Sequence, residues 1–246
     1  MQGHWRWYRD ADAQPPFDAD LIRHSIRIER RYTARAGQAA PAGVSTVNVL
    51  EGWRRVIVTA PHASEVFRDG AYRYSDGGGT GALAEMLHTL AGATALTTNY
   101  RFPSDPNSAD DNAFKSTLRE LILRHDPVLL LDIHGSHPRR PYDVDFGTMY
   151  QASLLNHTEL LPTLERALQE AGLRRFSHDY FCAATQQTVT KLASKLGVPA
   201  IQLEVNSLWL HPSRGNEPAH RFARLLLGLT QYLCAKSGVP KPVLPR

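Results

Sequence analysis

The chain has 246 residues, 42% hydrophobic and only 21% charged, which suits a single ordinary α/β domain with a sizeable core and excludes a disordered chain. Its 28 basic and 24 acidic residues leave a formal charge of +4 with the arginines scattered, so nucleic acid is not an expected partner. No apolar run approaches the roughly 18 to 20 residues that span a bilayer, and Met1 to Asp10 lacks the apolar stretch of a signal peptide; the expected location is cytoplasmic, with no membrane partner. Cys182 and Cys234 are far apart in sequence, which fits a reducing compartment better than a disulfide framework.

Residues 1–50 read as an irregular arm, broken by Pro15-Pro16, Gly37 and Pro41-Ala42-Gly43, with a charged stretch around Arg23 to Arg35 that shows no clean apolar stripe. From Val56 the pattern sharpens. A strand at Val56–Ala60 leads through the glycine-rich Asp76-Gly77-Gly78-Gly79-Thr80-Gly81 to a helix with Leu83, Met86, Leu87 and Leu90 on one face. A strand near Thr94–Thr98 follows, then a polar loop, then a helix with Phe114, Leu118, Leu121 and Ile122 on its stripe that Pro127 ends. Val128 to His134 reads as a buried strand, and Val144–Met149 as another. A helix carrying Leu161, Leu164 and Leu168 stops at Gly172, and one carrying Val189, Leu192, Ala193 and Leu196 stops at Gly197. In Ala200 to Asn206 apolar residues alternate with Gln202, Glu204 and Asn206, as in a strand with two unlike faces. Glu217 to Cys234 reads as a closing helix packed by Phe222, Leu225, Leu226, Leu229 and Leu233, and 237–246 as a Pro-rich tail. This alternation implies a three-layer α/β fold, a mixed but mostly parallel sheet with helices on both faces.

Ligands in open α/β sheets collect outside the carboxyl ends of the strands, where His62, His134 and Glu204 all fall. Each signal is weak alone, since a strand-end histidine is commonly a hydrogen-bonded structural residue and an isolated strand glutamate a solvated one. Together, His62 and Glu65 at His-x-x-Glu spacing with His134 supply the two-imidazole, one-carboxylate set typical of hydrolytic zinc, although such a set accepts other divalent ions too. Zinc so held activates water near neutral pH and polarises an amide carbonyl, and Glu204 is placed to move the protons. Asp132, two residues from His134 on the same strand face, is the expected acid that orients an imidazole. No Gly-x-Ser-x-Gly elbow or P-loop ending occurs, and the glycine run follows a loop where a dinucleotide fingerprint follows a strand. His178, His211 and His220 read as surface or helix residues.

The order of blocks resembles the N-formylglutamate amidohydrolase-like branch of the zinc carboxypeptidase-like clan. The resembling blocks are Pro61-His62-Ala63-Ser64-Glu65, Asp76 with the helix start at Thr80-Gly81, Arg101-x-x-x-Asp105-x-Asn107, Leu131-Asp132-Ile133-His134-Gly135-Ser136 and Gln202-Leu203-Glu204-Val205-Asn206. The resemblance implies a phosphorylase/hydrolase-like fold, one catalytic zinc, and hydrolysis of a linear amide in a small N-acyl amino acid. It also implies Asp76 as the alternative third ligand, since in that branch the position of Glu65 is often not acidic whereas an acid near Asp76 recurs. Asp105 is expected beside Asp132 as a supporting acid, and Arg101 with Asn107 is expected to position substrate. The chain departs from the branch at Ser108, where relatives place an arginine for a substrate carboxylate. Arg101 is the expected substitute, with Arg68 and the Arg139-Arg140 pair as further candidates, the pair reading most simply as surface charge. A metallopeptidase or cell-wall-type amidase acting on a longer peptide is the alternative within enzymes, and a catalytically silent metal-stabilised binding domain the alternative outside them.

Overall fold

The structure, a computed structural model, describes residues 19–236; the first part of the expected arm, residues 1–18, and the Pro-rich tail lie outside it. Nine strands are described: β1 (Val47–Leu50), β2 (Val56–Ala60), β3 (Val66–Arg68), β4 (Ala71–Arg73), β5 (Thr94–Thr98), β6 (Leu129–Ser136), β7 (Val144–Gly147), β8 (Phe176–His178) and β9 (Ala200–Asn206). Six α-helices accompany them: α1 (Ala19–Arg35), α2 (Gly78–Ala91), α3 (Ala113–His125), α4 (Leu160–Glu170), α5 (Val189–Lys195) and α6 (Asn216–Lys236). Seven strands form one mixed sheet in the order β1-β5-β2-β6-β9-β7-β8, and β3 with β4 forms a separate two-stranded ribbon. The central four, β5, β2, β6 and β9, run parallel, while β1 joins β5 and β7 joins β9 antiparallel.

Strand alternation divides the core between two layers. Val58, Leu131, Ile133, Leu203 and Phe146 face α1, α2, α4 and α6, whereas Ile57, Leu96, Leu130 and Ala200 face α3 and α5. β6 thus reads as a continuous apolar run because both its faces are covered. Each fully buried leucine in these layers contributes about 1.5–3 kcal/mol relative to exposure, enough together to set the register of β6 against β2 and β9.

The described part of the expected irregular arm is instead built into the domain. Residues 19–35 form α1, which packs on α2, and Val47–Leu50 adds the edge strand beside β5. The buried stripe of α1 is Ser25, Ile28, Glu29 and Tyr32, which is helical in spacing but mostly polar, so a search for apolar periodicity passes over it. Its polar members are satisfied internally. Ser25 Oγ donates to the Leu21 carbonyl, Tyr32 Oη donates to Glu85 Oε1 at 2.7 Å, and Glu85 also pairs with Arg31.

The glycine run is explained by the same interface. The helix α2 begins inside it, at Gly78, and a Cβ on Gly78 would lie 2.3 Å from the Glu29 carbonyl oxygen, one on Gly79 1.6 Å from the Leu210 carbonyl oxygen. The run lets α2 enter between α1 and the segment around Leu210, a packing need rather than a phosphate-binding loop.

Candidate metal centre and its cleft

The parallel strands deliver polar groups late in their length, on the face that earlier residues give to α3 and α5. His134 on β6 stands opposite Glu204 on β9, which stands opposite Asp145 on β7; one row earlier Asp132 stands opposite Gln202. His62 follows in the turn after β2. Asp76 comes from outside the sheet, tied in by its own N–H to the His62 carbonyl at 2.9 Å and by the Gly135 N–H to its Oδ2 at 3.1 Å.

His62, Asp76 and His134 each turn one ligating atom into a common space, all within 4.8 Å of one another. The Asp76 Oδ2 lies 3.5 Å from His62 Nδ1 and 3.2 Å from His134 Nδ1. The far nitrogen of each ring meets another acid: His62 Nε2 is 2.8 Å from Asp105 Oδ1, and His134 Nε2 is 3.2 Å from Asp132 Oδ2. Carboxylates behind both rings favour the tautomer with Nε2 protonated, which turns the Nδ1 lone pairs toward Asp76 and suits the pair to hold a metal ion. The donor set fits zinc, being two imidazole nitrogens and one carboxylate with supporting acids behind.

Burial works against charge on His62, but the Asp76 charge and the hydrogen bonds the ring donates to Asp105 and Asp76 outweigh it and hold the ring up at about 9. His134 is likewise raised against burial, chiefly by Asp132. Burial also opposes ionisation of Asp76 and Asp105, and the histidines overcome it, holding both carboxyls below their usual range. Glu204 goes the other way. Burial pushes it up to about 7, with Asp76 and Asp145 adding to the rise and His134 and His62 opposing it. Its Oε1 accepts a hydrogen bond from Gln202 Nε2 at 3.0 Å.

Of the expected third ligands, Asp76 joins the histidines and Glu65 does not. Glu65 Oε2 accepts from Arg101 Nη2 at 3.0 Å and Nε at 3.2 Å, and its carboxylate packs against Gly37, outside the converging group. The chain leaves the His62 turn straight into β3, which carries Glu65 away from the ring. Arg101 therefore belongs to that pair, with its guanidinium 4.4 Å from the centre of the Tyr72 ring, and is not among the residues lining the cleft. Asn107 is buried, its Oδ1 accepting from the Val189 N–H at 2.8 Å and its amide nitrogen held 2.9 Å from His134 Nε2. Its carbonyl end is therefore committed to the start of α5 and is not a free substrate contact. Asp105 is fixed by the Asn107 N–H, and buried Lys115 pins the same loop to the chain before α5 through Asp110 and the Gln187 carbonyl.

The centre opens into a cleft of about 420 Å³. Arg68 lines it as expected; so does Arg140, a candidate that read more simply as surface charge, and so do Arg73 and Gln202, which sequence reasoning did not place there. Gln202 was recoverable from alternation, two residues before Glu204 on the same face; Arg73 was not, because the β3–β4 ribbon is too short to show a period. His178 and His220 are exposed, but His211 is mostly buried, bonded to Glu29 and packed where a Cβ on Gly77 would meet it at 2.7 Å. No helix among the described residues is long and apolar enough to cross a membrane.

No family model matches the chain, and no curated protein matches it. Solved structures do. An N-formylglutamate amidohydrolase from Ralstonia eutropha JMP134 superposes with a TM-score of 0.54 at 16% identity, covering 80% of this chain and 100% of that one. A succinylglutamate desuccinylase from Chromobacterium violaceum gives 0.50 at 13% identity, covering 90% and 78%. At these identities the likeness is one of fold, and at that level it supports the N-formylglutamate amidohydrolase-like resemblance read from the motifs.

Proposed function

We propose that this protein is a zinc-dependent hydrolase of a linear amide bond in a small N-acyl amino acid of the N-formylglutamate kind. The observation that carries this reading is the meeting, in one cleft, of a two-imidazole, one-carboxylate cluster with a half-buried glutamate whose carboxyl is held at about 7. The fold likeness to an amidohydrolase supports it. His62, Asp76 and His134 would hold the ion, which supplies Lewis acidity toward water and an amide carbonyl.

The remaining work falls to the protein's own groups. Asp105 and Asp132 keep the imidazoles in the ligating tautomer and orientation. Glu204 is poised between its two protonation states at neutral pH, so it can take the proton of the attacking water and deliver it to the departing nitrogen. Gln202 holds one Glu204 oxygen, leaving the other for the water. Positioned proton transfer of this kind contributes about 10²- to 10⁴-fold.

The test is turnover and metal content of Glu204→Gln beside wild type, over a panel of N-acyl amino acids and short peptides. The expected variant keeps about one zinc per chain and loses about 10²- to 10⁴-fold in kcat. Wild-type turnover by the variant would remove Glu204 from the chemistry, and turnover of the peptides alone would favour the peptidase or amidase reading. Zinc binding with no turnover of any substrate would favour a silent binding domain.

A further inference from the structure

Three arginines line the cleft, and their surroundings differ. Arg68 Nη1 lies 3.2 Å from Asp105 Oδ2 and donates to Gln186 Oε1 at 3.2 Å, while Arg73 approaches the same Asp105 oxygen at 3.9 Å. Their charge is answered by Asp105. No carboxylate pairs with Arg140 among the described residues. Its Nη1 donates to the Tyr180 hydroxyl at 2.7 Å, and its guanidinium stands 5.1 Å from the Tyr180 ring centre and 5.0 Å from that of Phe181. Two rings and the hydroxyl of one of them fix the guanidinium in place without neutralising it, and one bond uses only a fraction of its five donors.

The wall that carries Arg140 is rigid. Asn206 Nδ2 donates to the carbonyls of Pro138, Arg140 and Tyr142 at 3.3, 3.2 and 3.1 Å, so one β9 side chain clamps the whole turn. The aromatic bracket is held from beneath by Asp145, which accepts from the N–H groups of Tyr180 at 3.2 Å and Phe181 at 2.9 Å. A second observation lies beside it. Ser136 lines the cleft with its side chain over nine-tenths buried, its hydroxyl neighbours that of Tyr142, and neither hydroxyl has a protein partner beyond the other. Tyr142 stands with its ring centre 6.0 Å from that of Tyr180, the charges of Glu204 and Arg140 both act on its hydroxyl, and both residues line the same cleft.

We propose that Arg140 and the Ser136 hydroxyl form the anion subsite of this cleft and bind the carboxylate of the substrate's amino-acid half. Recognition then comes from the turn after β6 and not from position 108, where Ser108 stands outside the cleft lining. A preorganised, unneutralised guanidinium near a buried hydroxyl with no protein acceptor beyond the Tyr142 oxygen is what a carboxylate completes: the anion takes the free edge of the fork and offers the hydroxyl a charged acceptor. This inference rests on the amidohydrolase reading.

The experiment uses zinc-loaded Glu204→Gln protein, in which ligand is not consumed, titrated calorimetrically with N-formyl-L-glutamate and with uncharged N-formyl-L-glutamine amide. The background is expected to prefer the acid. Adding Arg140→Gln should weaken the acid by about tenfold or more while changing the amide by less than about twofold, and Arg140→Lys should fall between, having charge without the fork. Arg139→Gln, at the exposed neighbouring position, should change neither. A background that binds acid and amide equally, or Arg140 variants that keep the full preference for the acid, would overturn the subsite and leave the amidohydrolase reading standing. Failure of the background to bind either ligand would overturn both. Should Arg140→Gln lose the native thermal midpoint, Arg140→Lys alone decides.

Discussion

Two regions of this molecule bring charged groups to the same place by opposite means. His134, Asp132 and Glu204 ride on parallel strands, positioned by the register of β6 with β9 and by apolar residues that alternate with them. Asp76 and Asp105 ride on loops, and their frame is polar: main-chain bonds to His62 and Gly135, the buried Glu29–His211 pair behind Gly77, and glycines that admit α2 beneath α1. Strands place side chains through many small, redundant apolar contacts, so the loss of one is tolerated. The loop frame depends on a few specific contacts with no reserve, and this difference can be tested.

The sharpest break is at Asp76. Asp76→Asn should lower zinc affinity by more than about 100-fold, beyond the 10- to 100-fold expected of Asp105→Asn behind His62, whereas Glu65→Gln should leave it unchanged; competition with a chromogenic chelator measures all three. Next is Gly79→Ala, whose methyl would overlap the Leu210 carbonyl oxygen and should cost about 1–3 kcal/mol in urea unfolding. If Gly79→Ala proved neutral, the glycine run would not be a packing device. Glu29→Gln should cost about 1 kcal/mol, since one amide oxygen cannot replace two carboxylate oxygens that accept from the Ser213 N–H and face His211, and it should weaken zinc binding although it lies outside the cleft.

The last test concerns pH. The folded protein holds His62 at about 9 against an ordinary 6.5, so in metal-free protein this contribution is fully present below pH 6.5 and is lost as pH rises to about 9. Glu204, raised from 4.5 to about 7, has the same sign over its lower window, because the folded state binds the proton more tightly. Asp76 and Asp105, held low, contribute above their ordinary 3.8 and lose that contribution as pH falls below it. The thermal midpoint of metal-free protein should therefore decline from about pH 5 toward pH 9. Zinc-loaded protein should decline less, since the metal displaces the imidazole protons and binds more tightly as they leave. Parallel curves for the two forms would argue that the histidines are not ligands.

The same contrast decides what could be read from the sequence. The strands β2, β5, β6, β7 and β9 and the helices α2 to α6 follow from apolar period, and the places of His62, His134 and Glu204 follow from strand ends, whereas β1 and β8 are too short to show one. Helix α1 was hidden because Ser25, Glu29 and Tyr32 form its buried stripe, and polar residues satisfied by distant partners leave no local trace. Choosing between Glu65 and Asp76 needed the path of the chain after His62, which turns into a ribbon and returns at Asp76. Arg140 read as surface charge because its aromatic bracket is 40 residues downstream.

The cleft has one fixed jaw and one yielding jaw. On one side, Asn206 fastens the 138–142 turn to the strand that bears Glu204. On the other, β3 and β4 form a separate two-stranded ribbon tied to the body by the Val66–Phe102 bridge and by side-chain contacts of Arg68, Tyr72 and Arg73, with Phe67, Tyr72 and Tyr74 exposed to solvent. A two-stranded ribbon with one wet face opens at lower cost than a seven-stranded sheet. Any opening of the cleft is therefore expected on the ribbon side, while the groups proposed for bond cleavage keep their spacing.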